Sequence, residues 1–385
     1  MAIRADGRMS ELWVILLVVI FGLISLEMGF PTAILEIVAG VIGGNILDTS
    51  SFAWMDFIAN YGILGLMFLA GLEIDKDELR KNLGRSSALA LSAYFIPFAA
   101  IFALSLLVSP DLRRAALIAI ALSTTSLALL YPILRERGFL NLEMGHVVLS
   151  AAMLIDVFSM ISLTAVFVAV NLFTAVLLIV LAFFMWHAPR IGKRLFARYR
   201  ENLSEIELKF LLLVLLALLF FAERVMISEA VLAFLMGFLF SEILEEHEIL
   251  VEKLRGIVFA FFSPIFFFKA GSYLKFSALG VMSLLYIAVF LPAALLTKYY
   301  SAKLVFRKLF GASEEFSRFV GLSFNLRLTF GIVAALFGLE LGIIDLEIYT
   351  AIIAVIISSA IIASIICRLE GHRPAGSGDR DSTRI

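Results

Sequence analysis

The sequence predicts an all-α polytopic membrane protein with about 13 transmembrane helices. Composition is the first reason, since 62% of the 385 residues are hydrophobic and 16% are charged, whereas soluble domains average about 25% charged residues. The second reason is the length of the apolar runs, because about 20 residues of helix span the hydrocarbon core of a bilayer. The third is the segregation of basic residues between alternate connections. A net charge of −1 argues against nucleic-acid binding, and the single cysteine, Cys367, excludes an internal disulfide framework or a CxxC metal site.

Apolar runs separated by charged or turn residues define the predicted spans. In chain order they cover residues 11–27, 31–47, 55–74, 86–109, 113–134, 143–170, 172–188, 205–222, 228–243, 254–273, 277–304, 314–339 and 345–367. Gly or Pro interrupts several spans, notably at Pro31, Pro97, Pro264 and Pro292. The polar residues 369–385 are predicted to form a short disordered cytoplasmic tail.

Lys and Arg residues predict the orientation of the chain. With 13 spans, 22 of the 31 basic residues lie on the side of the C-terminus, 6 lie on the opposite side and three lie inside spans. Because basic connections stay in the cytoplasm, we expect a multi-pass protein of the cell membrane with its N-terminus outside and its C-terminus cytoplasmic. The first span follows Arg4 and Arg8 but lacks a small-residue cleavage site, so we expect a retained helix.

An internal repeat of opposite orientation is the next feature. FLAGLEIDKDEL at Phe68–Leu79 ends the third span, and FKAGSYLKFSAL at Phe268–Leu279 ends the tenth, which runs the other way. EIVAGVIGG at Glu36–Gly44 also resembles AFLMGFLFS at Ala233–Ser241. We therefore expect two inverted five-helix repeats, spans two to six and nine to thirteen. Inverted repeats with interrupted helices are typical of secondary transporters with a binding site near the midplane; chance similarity of apolar segments is the alternative.

Asp156 is the clearest candidate for an ion-binding residue. It follows Glu143 by about 20 Å of helix, at about 1.5 Å per residue, which places it near the bilayer centre. An ionisable residue there costs about 2.5–3.5 kcal/mol on insertion scales and normally has a function or a partner. Burial disfavours the carboxylate and a nearby cation favours it, so Asp156 could exchange a proton for a metal cation. A structural ion pair is the alternative.

Polar sequences interrupt two further spans at corresponding positions. STTS at Ser123–Ser126 lies midway along the fifth span, and FNLR at Phe324–Arg327 lies within the twelfth. An unwound segment in a membrane helix presents carbonyls and hydroxyls that can replace the hydration shell of a cation. Ser and Thr also occur in membrane helices simply as contacts between helices.

Three basic residues inside spans compete as partners of Asp156. Arg327 could balance the dipoles of facing half-helices. Lys298 could form a salt bridge with Asp156, or its amine could extend to the cytoplasmic surface. Lys269 lies near the outer end of the tenth span and is expected to extend to the surface. Glu73 lies at the end of a span, next to charged residues that are predicted to be cytoplasmic. It is either a solvated residue at the helix end or a supporting residue of the site.

Several stretches resemble the monovalent cation:proton antiporter-2 family, which includes Kef-type and Na+/H+ exchangers. They are PTAILEIVAGVIGG, GILGLMFLAGLEID, STTS followed by an Asp in the next span, SPIFFFKAG and LSFNLRLTFGIVAALFGLELGIID. The resemblance covers essentially the whole membrane region, and GLMFLAGLEID is its most specific part.

The resemblance implies the Na+/H+ antiporter fold, in which two broken helices cross inside a core, and a homodimer. The dimerisation helices would cover about 11–74 and 205–273, and the core helices about 86–170 and 277–367. By position, the resemblance assigns the family's ion-binding aspartate to Asp156 and its crossover hydroxyls to Thr124 and Thr125. It assigns the family's core lysine to Lys298 and its core arginine to Arg327.

This chain departs from the family at two positions. Ile155 stands where relatives carry Asp, Asn or Gln, and Thr329 stands where relatives often carry Glu. Ile155 removes a second carboxylate that could carry an extra proton, which favours one-for-one electroneutral exchange.

These observations favour a secondary antiporter that exchanges a monovalent cation for H+ by alternating access, with Na+ favoured over K+. We expect no enzymatic activity, no cofactor beyond the transported ions, a lipid bilayer around the protein and no nucleic-acid partner. A cation-coupled organic-anion symporter, holding a carboxylate at Arg327 and half-helix N-termini, is one alternative, and a channel or non-transporting membrane sensor is another. The predicted site consists of Asp156, Thr124, Thr125 and Ser126, with charge partners Lys298 and Arg327 and supporting residues Ser123, Asn325, Ser159 and Glu73.

Overall fold

The structure is a computed structural model and describes residues 7–47, 53–74, 81–139, 142–167, 172–199, 203–225 and 228–369. These residues form helices and connections, with no strand among them. The helices are α1 (Gly7–Met28), α2 (Thr32–Ile46), α3 (Ala53–Leu72), α4 (Leu83–Val108), α5 (Leu112–Ser123), α6 (Leu127–Glu136), α7 (Glu143–Phe167), α8 (Leu172–Tyr199), α9 (Ile206–Val225), α10 (Glu229–Leu244), α11 (Glu248–Ile257), α12 (Ser263–Ser272), α13 (Val281–Phe310), α14 (Glu314–Ser323), α15 (Thr329–Glu340) and α16 (Leu346–Leu369).

The prediction of an all-α polytopic membrane protein is confirmed. Within the described part of the chain, seven helices are long and apolar enough to cross a membrane, namely α1, α3, α4, α7, α8, α13 and α16. Of the remaining predicted spans, the eighth is the undivided α9 of 20 residues, the second and ninth are the shorter helices α2 and α10, and the fifth, tenth and twelfth are divided. The count of 13 spans therefore stays a prediction. The tail after α16 lies outside the described residues.

Two predicted spans are broken where the polar sequences predict a break. The fifth divides into α5 and α6, and the extended conformations of Thr124 (φ −71°, ψ 165°) and Ser126 (φ −85°, ψ 113°) separate the two halves. The twelfth divides into α14 and α15 at residues 324–328, where Leu328 (φ −156°, ψ −83°) precedes the second half. Unwound backbone at this depth is tolerated because protein, rather than lipid, surrounds it.

The tenth predicted span, which the sequence predicts to be interrupted at Pro264, contains a change in helix type. A π-helical segment, Val258–Phe262, joins α11 to α12, and Pro264 lies in the first turn of α12. Proline lacks the N–H that would continue the regular ladder of hydrogen bonds. A local change of helical register just before the proline accommodates this loss.

The helix of the seventh predicted span extends beyond the predicted end of the span at residue 188. α8 continues to Tyr199 with Pro189 inside it. The prediction ended the span where the apolar run meets a proline and basic residues. The helix instead carries these exposed basic residues beyond the apolar stretch, since backbone hydrogen bonding does not require an apolar sequence.

The helices pack into two bundles. The glycine bundle consists of α1–α3 and α8–α12, and its most extensive contacts join α3 to α10 and α2 to α12. The crossing bundle consists of α4–α7 and α13–α16, and its most extensive contacts join α4 to α13 and to α5.

Four glycines allow the backbones of the glycine bundle to approach each other closely. A Cβ atom on Gly71 would collide with the carbonyl oxygen of Phe234, and one on Gly237 with that of Phe68. The second helix pair repeats this arrangement, since a Cβ on Gly40 would meet the Phe268 carbonyl and one on Gly271 the Ile37 carbonyl. Such contacts fix the two helix pairs at a short separation.

Candidate functional site

The two helix breaks cross and bond to one another at the centre of the crossing bundle. Ser126 donates its backbone N–H to the Leu326 carbonyl at 2.6 Å. The Thr125 hydroxyl donates to the Phe324 carbonyl at 3.0 Å, and the hydroxyls of Ser126 and Thr329 lie 3.4 Å apart. The crossing is therefore held by the polar groups that unwinding releases from the helices.

Lys298 binds the C-terminal end of the first half-helix. Its Nζ atom donates to the carbonyl oxygens of Ser123, at 2.5 Å, and Thr124, at 3.1 Å, and the side chain is completely buried. These carbonyls carry the partial negative charge of the end of α5. Lys298 thus satisfies two buried acceptors, and among the described residues it forms no ion pair with Asp156.

Arg327 is also completely buried, on the second break. Its Nη2 atom donates to the Ala294 carbonyl of α13 at 2.6 Å and to Asn325 Oδ1 at 2.8 Å. Asn325 in turn donates to the Gly321 carbonyl of α14 at 3.0 Å. Arg327 therefore links the second break to the helix that carries Lys298, and it too forms no ion pair with Asp156 within the described chain.

A cavity of about 300 Å³ lies between the two bundles and reaches Asp156. Asp156 is 8% exposed, and the hydroxyl residues Ser126 and Thr329 line the same cavity. The other walls are mainly apolar and come from both bundles: Leu66, Met67, Leu69, Ala70, Leu127, Tyr131, Met160, Phe234, Phe259 and Phe330. The buried carboxylate of Asp156, the hydroxyls of Ser126 and Thr329 and mainly apolar walls can hold a small, partly dehydrated cation or a proton.

Besides the buried Asp156, an ion pair of half-exposed side chains lines the cavity and marks its open end. Glu73, directly after α3, accepts from Arg255 of α11 at 3.3 Å, and both side chains are about half-exposed. The two residues also line the cavity. A cation that entered from this end would therefore pass a carboxylate whose charge is balanced by a guanidinium.

The structure brings some of the predicted site residues together and separates others. Asp156, Ser126 and Glu73 share the cavity. Thr124 and Thr125 belong to the crossing but are not among the residues that line the cavity, and Ser123 contributes its carbonyl to Lys298. The Ser159 hydroxyl donates to the Ile155 carbonyl one turn earlier in α7, at 2.8 Å. Their roles in ion binding stay predictions.

Sequence reasoning missed Arg255 and undervalued Thr329. In the sequence, Arg255 is only one of many basic residues near a helix end. Its predicted position on the same side of the membrane as Glu73 was a signal that could have been used. Thr329 drew attention only as a departure from the family. The crossing gives it a different context, because its hydroxyl meets that of Ser126 beside the cavity.

Lys269 corrects a further expectation. The sequence predicts that its amine extends to the membrane surface, but the side chain is 5% exposed and its Nζ pairs with Asp56 Oδ1 at 3.1 Å. The acid at the start of α3 lies close enough to keep the amine within the protein.

Crossed broken helices beside a cavity with one buried carboxylate define a broken-helix membrane transporter. Comparison with known families makes this specific: the transmembrane region of the sodium/hydrogen exchangers matches residues 14–369, and the chain belongs to this family. The resemblance to monovalent cation:proton antiporters is therefore confirmed at the family level, while the assignment to the antiporter-2 branch stays a prediction.

Curated relatives match along most of their length. The chain is 28% identical over 342 residues to the probable Na+/H+ antiporter 3 of Methanocaldococcus jannaschii, covering 86% of this chain and 87% of the relative. It is 29% identical to the probable Na+/H+ antiporter GerT of Bacillus cereus, over 89% of this chain and 94% of the relative. It is 26% identical to the Na+/H+-K+ antiporter GerN of Bacillus cereus, over 89% and 90% respectively.

A solved structure shares the fold. The sodium proton antiporter MjNhaP1 from Methanocaldococcus jannaschii superposes with a TM-score of 0.70, covering 96% of this chain and 99% of that chain at 16% identity. The match confirms the predicted antiporter fold with its crossed broken helices.

Proposed function

We propose that the protein is a secondary antiporter that exchanges Na+, in preference to K+, for H+ across the cell membrane. The observation that carries the proposal is the buried Asp156 in the lining of a cavity between two helix bundles, next to crossed helix breaks. The names of the relatives support the same reaction, because several are Na+/H+ antiporters.

Asp156 is proposed to bind Na+ and H+ in competition. A carboxylate in a mostly apolar cavity is poorly solvated, so either a proton or a metal cation must neutralise it. The Ser126 and Thr329 hydroxyls are available to contribute oxygen ligands, and Thr124 and Thr125 would contribute through the carbonyls and hydroxyls of the crossing. The name of GerN, a Na+/H+-K+ antiporter, keeps K+ as a second substrate to be tested.

Lys298 and Arg327 are proposed to maintain the site rather than to pair with Asp156. Each donates to carbonyls of its own surroundings, Lys298 at the end of α5 and Arg327 on α13. Their positive charges offset the partial negative charge of the carbonyls that they contact. Asp156 then supplies one negative charge per transported ion, and Ile155 adds none, which supports one-for-one electroneutral exchange.

Alternating access is proposed to arise from movement of the crossing bundle against the glycine bundle. The most extensive helix contacts lie within the bundles, and the cavity lies between them, so a rigid-body movement would preserve most of the packing. We propose that the glycine bundle corresponds to the dimerisation helices of a homodimer. By the distribution of basic residues, the end of the cavity at Glu73 and Arg255 faces the cytoplasm.

Exchange by purified protein in liposomes tests the proposed function. With an acidic interior established, added Na+ should dissipate the pH gradient, and K+ and Li+ define the selectivity. Electroneutral exchange predicts the same rate with and without an imposed membrane potential. A rate that follows the potential would overturn the one-for-one stoichiometry, and failure of all three cations to dissipate the gradient would overturn the antiporter.

The same liposomes separate the antiporter from the symporter and the channel. Cation-dependent uptake of a labelled organic anion without proton flux would favour a symporter, and single-channel currents would favour a channel. Arg327 is completely buried and lies outside the cavity lining, so an anion in this cavity would not reach its guanidinium.

A further inference from the structure

The bundles contact each other near the start of α3, at the end of this helix opposite to Glu73. The Tyr349 hydroxyl of α16, in the crossing bundle, donates to the Ala270 carbonyl of α12, in the glycine bundle, at 2.8 Å. The ring of Tyr349 also meets that of Tyr273 edge to face, with centroids 6.1 Å apart. Tyr349 is completely buried, so this contact is packed as well as hydrogen-bonded.

Lys269 adds a charged contact directly beside Ala270. It is buried and pairs at 3.1 Å with Asp56, at the start of α3, whose side chain is 60% exposed. Glu340, the last residue of α15, lies within electrostatic range of both Lys269 and Asp56. The amine of the glycine bundle therefore lies near one carboxylate of its own bundle and one of the crossing bundle.

These contacts differ between the two states that alternating access requires. While the cavity is open at Glu73, the opposite side is closed, Tyr349 lies against α12, and Glu340 lies within electrostatic range of Lys269. If the crossing bundle moves to open that side, Tyr349 must leave the Ala270 carbonyl, and Glu340 moves away from Lys269. Asp56 would stay, because it belongs to the same bundle as Lys269. A contact that forms in only one of the two states increases the population of that state.

We propose that Tyr349 and Lys269 are positioning residues that close the outer side of the transporter and stabilise the inward-facing state. This inference rests on the proposed function, because only a transporter that alternates between two states needs this contact to break. Lys269 acts through its attraction to Glu340, while Asp56 keeps the amine in place in both states. Tyr349 acts through its hydroxyl, with its ring filling the closed contact.

Accessibility of the cavity from each side tests the proposal. Met160 lines the cavity, so a Met160→Cys reporter in a Cys367→Ala background can be labelled with a membrane-impermeant maleimide in right-side-out and inverted membrane vesicles. Loss of one buried hydrogen bond changes an equilibrium about two- to tenfold. We therefore expect Tyr349→Phe and Lys269→Gln each to raise the labelling rate from outside about two- to tenfold and to lower it from inside.

Two matched controls separate this effect from general loosening of the outer end. Lys275 donates to the Gly44 carbonyl within the glycine bundle, and Tyr286 stacks on Phe290 within α13. Lys275→Gln and Tyr286→Phe should leave the labelling rates unchanged. The separate variant Lys269→Arg, which retains the charge, should keep most of the parental ratio of inside to outside labelling.

The outcomes separate this inference from the proposed function. Unchanged labelling from both sides in Tyr349→Phe and Lys269→Gln would overturn the closing contact, even if exchange is normal. Equal increases in the control variants would overturn it as well. Absence of cation-dependent proton flux in the parent protein would overturn the proposed function instead, while an outward shift in labelling would still support the closing contact.

Discussion

Lys298 shows how a buried charge can serve structure next to a functional carboxylate. Its amine donates to two buried carbonyls at the C-terminal end of α5, and the carboxylate of Asp156 faces the cavity instead. The buried carbonyl oxygens of Ser123 and Thr124 would otherwise lack these donors, because unwinding removes the N–H groups that would normally reach them.

Replacing Lys298 with Met should destabilise the protein and also impair exchange. Two buried carbonyls would lose their donors, at about 1–3 kcal/mol for each unsatisfied group. The measurement is thermal unfolding in detergent, and Lys308→Met, at an exposed position on the same helix, is the matched control. An unchanged unfolding temperature in Lys298→Met would show that the lysine does not support the end of α5.

Arg255 should tune the apparent affinity for cytoplasmic cations. In Arg255→Gln, the Glu73 carboxylate at the mouth of the cavity loses its partner and attracts cations, so we expect a KM about two- to fivefold lower, within the range of an exposed ion pair. The difference should shrink at high ionic strength because salt screens exposed charges.

Lys253 provides the comparison for Arg255. It lies on the same helix but pairs with Glu205 at 2.7 Å, away from the cavity, so Lys253→Gln should not change the KM. A similar decrease in KM for both variants would indicate a general effect of surface charge rather than a specific effect of the Glu73–Arg255 pair on cation binding.

Single residues differ in how well the sequence predicts them. Asp156 can be predicted because a carboxylate within an apolar helix is rare and costly. The contacts of Lys298 cannot be predicted, since its carbonyl partners lie 175 and 174 positions away in the chain. These carbonyls are free to accept from Lys298 only because the helix is broken there. The pairing of Lys269 with Asp56 likewise depends on how α12 packs against α3.

At the scale of elements, the glycine contacts set the spacing of whole helices. Gly71 and Gly237 hold α3 and α10 together, while Gly40 and Gly271 hold α2 and α12 together. Gly71 and Gly271 are also the matching glycines of the two similar sequence segments. This correspondence supports the proposed inverted repeat, because each helix pair uses the same type of contact.

Gly71→Ala should destabilise the glycine bundle. The added methyl group would meet backbone atoms of Phe234 and Phe238, which cannot rotate away as a side chain could, and overpacking of this kind typically costs about 1–3 kcal/mol. Thermal unfolding is again the measurement. Gly22→Ala is the control, because nothing lies within 4 Å of a Cβ at that position; equal effects would contradict the close approach.

The elements also show where sequence reasoning stops. The breaks at STTS and FNLR are predictable because polar runs inside apolar spans favour unwinding in a protein interior. The π-helical segment before Pro264 and the continuation of α8 through Pro189 are not predictable in the same way. Proline signals a local problem in the hydrogen-bond ladder but does not specify whether the helix ends, bends or changes register.

At the scale of the whole molecule, the division into two bundles makes a rigid-body movement the simplest route to alternating access. The cavity draws its walls from both bundles, with Asp156 on one side and Phe234 on the other. A movement between the bundles would change access to Asp156 without unpacking either the helix crossing or the glycine contacts.

Linking the bundles on the Tyr349 side should stop exchange. Cysteines in place of Tyr273 and Tyr349, in a Cys367→Ala background, can be joined by a short reducible thiol cross-linker. We expect exchange to be lost on linking and to return on reduction, while each single-cysteine variant stays active under the same treatment. Full exchange by the linked protein would contradict movement between the bundles.

The central claim is that one carboxylate, Asp156, binds Na+ and H+ in competition, and proton release on Na+ binding tests it most directly. Purified protein in weakly buffered detergent solution should release about one proton per bound Na+ near the pH at which the site is half-protonated. Asp156→Asn, which retains the size but not the charge, should release none and show no Na+-dependent heat in calorimetry. Undiminished proton release by the Asp156→Asn variant would contradict the account.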